Sequence, residues 1–147
     1  MEKTIAIGCD HAGFELKEII KDNLTSKGYQ VKDYGTFNTQ SVDYSDIIHP
    51  VAADINNNKY SIGIIICGSG NGVAITANKY INVRAAICWN AEIAKLARMH
   101  NDANILSLPA RFIDEKEAEA IVDVFLNTEF EGGRHLIRVN KIKNIIS

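Results

Sequence analysis

Five short apolar runs punctuate the chain, and most are followed by a stretch in which apolar residues return every three or four positions. The runs are TIAIGC (4–9), YQVKDY (29–34), SIGIIIC (61–67), VRAAIC (83–88) and NILSL (104–108). Their shortness and β-branched content predict strands rather than buried helical turns. After the first run, Phe14, Leu16, Ile19, Ile20 and Leu24 alternate with Glu15, Lys17, Glu18, Lys21 and Asp22. That spacing predicts a helix ending at Gly28. A second helix is predicted around Ile47, Val51, Ala52 and Ile55, with His49-Pro50 blurring its start. Further helices are predicted over 73–80, 91–100 and 114–127, the last opening on an acidic cap and first turn. A final basic stretch, HLIRVNKIKNII, aligns Leu136, Val139, Ile142 and Ile145 as one helical stripe.

Strand and helix alternating over residues 1–147 predict one α/β domain, a parallel sheet with helices on both faces. Ligands of such sheets bind outside the carboxyl ends of the strands. That edge would carry Cys9-Asp10-His11, Cys67 to Gly72, Trp89-Asn90 and Pro109 to Arg111. No strand follows the last helix, so its stripe packs either on the same chain or on a neighbouring subunit.

Composition narrows the classes without naming a reaction. The 147 residues suffice for one good core, with 46% hydrophobic and 23% charged residues. A net charge of -2 gives no support for nucleic-acid or membrane-surface binding. No apolar run approaches the roughly 18 residues that span a bilayer. The N-terminus lacks an apolar signal region, and three cysteines form neither an even framework nor a CxxC pair. Free thiols in a reducing cytoplasm are the expectation.

Four stretches carry candidate chemistry. CGSGNG (67–72) sets Cys67 between a strand and a helix start, where backbone N–H groups favour a thiolate. Gly68, Gly70 and Gly72 let backbone N–H groups close on an oxyanion or phosphate, and Ser69 adds a hydroxyl. The alternative is a structural cysteine before a glycine turn; the spacing is neither a dinucleotide fingerprint nor a P-loop. GCDHAG (8–13) offers Asp10 to a sugar hydroxyl and His11 to an anion, or else Asp10 caps a helix. RMHNDAN (98–104) puts His100 at a helix end, where the protonated form is favoured and could protonate a ring oxygen; alternatively His100, Asn101 and Asn104 only terminate the helix. EGGRHLIR (131–138) spaces Arg134 and Arg138 one helical turn apart, a phosphate clamp or a solvated basic face, with Arg111 as a third candidate. His11, His49, His100 and His135 show no metal-ligand spacing, so no metal is expected.

Taken in order, GCDHAGFELK, DYGT, VDYSD, GIIICGSGNGVAITANK, VRAAICWN, ARMHNDANIL and FEGGRHLIRVNKI resemble the type B ribose-5-phosphate isomerases over essentially the whole chain. The wider group includes galactose- and allose-6-phosphate isomerases. The resemblance implies a Rossmann-like three-layer α/β/α fold with a five-stranded parallel sheet and a C-terminal helix. It implies homodimers or homotetramers with the active site at the subunit interface, no cofactor, and a place in the pentose phosphate pathway. Carried over by motif, Cys67 is the proton-transfer base, and Ser69 with Gly68, Gly70, Asn71 and Gly72 cradles the enediolate. His100 opens the furanose ring; Asp10, Tyr44 and Asn101 meet sugar hydroxyls; His11, Arg111, Arg134 and Arg138 grip the phosphate. One branch of the family instead uses a glutamate shortly after the glycine loop, and no acid stands in NGVAITANK. Ser69 replaces a common threonine, and Asn71 an aliphatic residue.

Three other readings compete. A six-carbon sugar phosphate would need only a different pocket, although galactose-specific relatives usually share one site between two different chains. A non-catalytic phosphosugar-binding module would bind without turnover. A redox switch would pair Cys9 with Cys67, both at neighbouring strand ends.

Overall fold

The computed structural model describes residues 3–143. Five parallel strands are ordered β2-β1-β3-β5-β4: β1 Thr4–Cys9, β2 Gln30–Asp33, β3 Ile62–Cys67, β4 Ala85–Ile87 and β5 Ile105–Pro109. Between and after them run α1 Phe14–Ser26, α2 Tyr44–Asn56, α3 Asn71–Ala77, α4 Ala91–Asn101, α5 Glu115–Asn127 and α6 Arg134–Ile142. The predicted α/β class and five parallel strands are observed. The strands β1, β3 and β5 are buried along their length, save the first residue of β1, which explains their near-continuous apolar sequences.

Ile20 and Leu24 of α1, Ala94 and Ala97 of α4, and Ile121 and Phe125 of α5 pack on one face of the sheet. Ile48, Val51 and Ile55 of α2 with Val73 and Ala77 of α3 cover the other, completing three layers. Helix α2 begins before its apolar repeat and runs through Pro50, which sits inside it. Four buried residues, Ile48, Val51, Ala52 and Ile55, hold that helix despite the N–H that proline lacks. Helix α3 stops at Ala77, three residues sooner than predicted. The final helix lays Val139 against the fold but leaves Leu136, Ile137 and Ile142 exposed; Ile145 of the predicted stripe lies outside the described residues. No helix among the described residues is long and apolar enough to cross a membrane.

One buried ion pair fixes the loop that follows β2. The Lys17 side chain is wholly buried, and its Nζ donates to both Asp33 carboxylate oxygens at 2.7 Å. Lys21 Nζ reaches the same carboxylate at 3.0 Å, and the Gly35 N–H donates to it at 2.9 Å. Gly35 and Thr36 then bond the backbone of Cys9 at 2.7 and 2.8 Å. The loop leading to Tyr44 is thus tied to the carboxyl end of β1.

Candidate active site

Strand order changes direction between β1 and β3, so their carboxyl ends open a crevice at the switch point. Cys67 ends β3 and is 6% exposed. The Gly70 N–H donates to its Sγ at 3.2 Å, placing a donor where a negatively charged sulfur would use it. Gly70 adopts φ +76, a left-handed conformation that glycine reaches without the Cβ penalty. Its carbonyl accepts from the buried Ser107 hydroxyl at 2.7 Å, which holds the loop from beneath. The Ser69 hydroxyl accepts the Asn71 N–H at 3.2 Å and keeps its own proton to donate.

Side chains crowd this loop where glycines leave room. A Cβ on Gly72 would lie 2.5 Å from Cζ of Tyr44, so the phenol ring rests on the loop. A Cβ on Gly68 would lie 3.1 Å from Nη1 of Arg111, and the backbone N–H of Arg111 donates to the Gly68 carbonyl at 3.0 Å. Asp10 is buried and caps the short 3₁₀ turn His11–Gly13, with Oδ1 accepting from the Ala12 and Gly13 N–H groups at 3.0 and 3.2 Å. The capping alternative therefore holds for one carboxylate oxygen, and Oδ2 stays without a protein partner among the described residues. His11 Nδ1 accepts the Val42 N–H at 3.2 Å. That bond puts the ring proton on Nε2 and makes it a donor. Beside the loop lies an open cleft of about 420 Å³ lined by Ser69, Asn71, Ile87, Trp89, Pro109 and Phe112. Trp89 and Phe112 are more than half exposed there.

The other cysteines are different. Burial pushes the thiols of Cys9 and Cys88 up to about 12. Cys9 pairs with Ile66 across the sheet and joins the α1/α4/α5 core, whereas Cys67 joins the α2/α3 core. Neighbouring residues on a strand point to opposite faces, so Cys9 and Cys67 are not placed to form a disulfide. This corrects the redox-switch reading.

His100, Asn101, Arg134 and Arg138 lie elsewhere in the chain. Helix α4 runs back from the carboxyl edge of the sheet, and His100 and Asn101 are its last two residues. Asp102 takes the left-handed cap at φ 46, so neither His100 nor an asparagine serves that purpose. Asn104, just beyond, bonds Arg84 ahead of β4 and takes the Gly63 N–H at the start of β3. His100 therefore belongs to the amino edge, whereas Cys67 sits opposite Pro109 at the far end of β5. Ile105 to Pro109 alone rises about 13 Å. Arg134 and Arg138 are exposed on α6, which packs on α4. A cavity of about 480 Å³ at this end is lined by Asn78, Tyr80, Arg84, Asn101 and Ile142 among others. The candidate residues of one chain thus fall into two groups on opposite edges of the sheet.

Two further residues join the group around His100. The rings of His100 and His135 stack with centroids 4.2 Å apart and planes 12° from parallel. Glu131 Oε2 lies 3.9 Å from His100 Nε2 and 3.8 Å from His135 Nε2. Desolvation, with the charges of His100, Arg134 and Arg138, holds His135 below the ordinary imidazole range, while Glu131 pulls the other way. Sequence reading weighed His135 only as a metal ligand and gave Glu131 no role, although their four-residue separation was the available signal.

Known proteins share this arrangement of the chain. The profile of the Ribose/Galactose Isomerase family matches residues 5–142. Ribose-5-phosphate isomerase B of Escherichia coli is 41% identical over 143 residues, covering 97% of this chain and 96% of that protein. The crystal structure of a ribose 5-phosphate isomerase from Thermotoga maritima is 49% identical with a TM-score of 0.95, covering 97% of this chain and 99% of that one. The Mycoplasma genitalium ribose-5-phosphate isomerase B, solved with bound ribulose-5-phosphate, is 42% identical with a TM-score of 0.92, over 95% and 93% of the two chains. With likeness in sequence and backbone running nearly end to end, the chain belongs to the ribose/galactose isomerase family.

Proposed function

We propose that this protein interconverts D-ribose 5-phosphate and D-ribulose 5-phosphate in a site built by two copies of the chain. The observation that carries the reading is Cys67, with the Gly70 N–H on its sulfur, at the switch-point crevice between Asp10, His11 and Tyr44. His100 and Asn101 with Arg134 and Arg138 come from the second copy across a twofold axis, so each copy completes the other's crevice. Exposed Trp89 and Phe112 on one edge, and Leu136, Ile137 and Ile142 on α6, are the apolar surfaces such an assembly would cover.

His100 protonates the ring oxygen as the furanose opens, and the anomeric hydroxyl releases its proton to solvent to leave the C1 aldehyde. The Cys67 thiolate then takes the C2 hydrogen as a proton. The C–H electron pair becomes the C1–C2 double bond, and charge moves onto the former carbonyl oxygen. Backbone N–H groups of residues 68–72 and the Ser69 hydroxyl receive that charge; one such donor is worth about 3 kcal/mol. The C2 hydroxyl proton passes to the C1 oxygen, the thiol returns its proton to C1 and becomes thiolate again, and a ketone forms at C2. Asp10, Tyr44 and Asn101 orient the hydroxyls. His11 Nε2, Arg111, Arg134 and Arg138 hold the phosphate, whose binding energy orients the distant carbons. These steps use side chains and backbone alone, and they belong to a pentose phosphate route in the cytoplasm.

The test is a direct assay of ribose 5-phosphate against allose and galactose 6-phosphates, with and without EDTA. Ribose 5-phosphate is expected to show the highest kcat/KM, by about tenfold or more, unchanged by EDTA. Faster turnover of a six-carbon substrate would overturn the assignment of chain length. Binding of every substrate without turnover would overturn the enzyme.

A further inference from the structure

We infer that Glu131 and His135 are positioning residues for His100: the Glu131 carboxylate keeps the proton on that imidazole, and the His135 ring fixes its plane. The inference rests on the isomerase reading, in which His100 opens the sugar ring. Gly132 and Gly133 both adopt left-handed φ, +70 and +57, and a Cβ at either would meet nothing within 4 Å. The backbone turn, not lack of space, is what demands glycine there. That turn reverses the chain so that Glu131 and His135 face the same ring. The Glu131 N–H donates to the Met99 carbonyl at 3.1 Å, tying the carboxylate to the residue next to His100.

The rings are nearly parallel and 4.2 Å apart. Two positive charges so close repel, so the pair favours one proton over two. The ligand atoms of His100, Glu131 and His135 all lie within 4.8 Å of one another, close enough to take up a metal ion as well as a proton. The carboxylate stands almost equally far from both Nε2 atoms. Arg134 and Arg138 of α6 bear on His135 and disfavour a charge there, while His100 stands in the last turn of α4. The charged groups bearing on His135 are His100, Arg134, Glu131 and Arg138.

The experiment combines NMR titration of the imidazoles with the pH profile of kcat/KM for ribose 5-phosphate. Loss of the carboxylate in Glu131→Gln is expected to move His135's titration still lower. It should also shift the alkaline limb of kcat/KM down by about half a pH unit, with Glu131→Asp restoring most of it. His135→Phe, which keeps a flat ring on His100, is expected to hold kcat within about threefold, while His135→Ala lowers kcat about tenfold at unchanged KM. An unmoved limb in Glu131→Gln, or a Phe variant as impaired as Ala, would overturn the inference. If no variant or wild-type protein turns over the sugar, the isomerase reading has failed. His135's titration in Glu131→Gln still decides whether the carboxylate acts on the pair, and an unchanged one refutes it.

Discussion

Cys67→Ser is expected to lower kcat by about a thousandfold or more while leaving KM and stability close to wild type. A positioned base contributes about 10²–10⁴ in rate, and a serine hydroxyl is far too weak an acid to ionise in its place. The substitution is nearly isosteric at a position 6% exposed, so the strand and its glycine loop have no reason to move. Retained KM would show that the phosphate and hydroxyl contacts survive. Cys88→Ser supplies the control, because that thiol is buried in the core and pushed up to about 12. It should leave kcat intact, whatever it costs in stability. Steady-state kinetics on both variants, with urea unfolding alongside, separates the two thiols.

Asp33→Ala is expected to be the most destabilising single change outside the apolar core. It strands Lys17, fully buried on α1, without its two 2.7 Å bonds, and it removes the acceptor for Gly35. Breaking a buried pair from one side costs about 3–5 kcal/mol, a large part of the 5–15 kcal/mol that holds a typical domain. A fall in Tm of about 10 °C follows for a chain of this size. The double variant Lys17→Met/Asp33→Asn should regain most of the loss, because no uncompensated charge is left. The pH dependence has a definite sign. Burial alone would raise the Asp33 carboxyl, but Lys17, the Gly35 N–H and Lys21 more than offset it and hold it below the usual carboxylate range. Its stabilisation is therefore complete above the unfolded pKa near 3.9 and drains away as pH falls through the lower folded value. Urea midpoints at pH 7 and pH 3, for wild type and the double variant, check both statements.

The sequence carried most of the fold because periodicity and burial agree here. Strands β1, β3 and β5 read as unbroken apolar runs since helices cover both faces, and α5 announced itself by its acidic cap and first turn, which the structure closes into a capping box of Asp114 and Glu117. Helix α2 was read short because Pro50 resembles a boundary, and only the buried face of Ile48, Val51 and Ile55 reveals why the helix continues. The cleft at Cys67 was legible from the rule about strand ends and from its glycines. The separation of His100 from Cys67 was not. It follows from the direction of α4, and motif order along the chain says nothing about which edge a helix end reaches. The stacked His100 and His135 were equally hidden, since thirty-five positions divide them and only the turn at Gly132-Gly133 brings them together.

Everything in the mechanism depends on Cys67 and His100 of different copies meeting over one sugar. The decisive measurement is complementation: Cys67→Ala and His100→Ala proteins, each nearly inactive, are unfolded together, refolded as an equal mixture and assayed. Random pairing in twofold dimers should restore about a quarter of the wild-type sites, because half the dimers are mixed and one of their two sites is intact. A mixture no more active than its components, with dimers shown to have exchanged, would contradict the account.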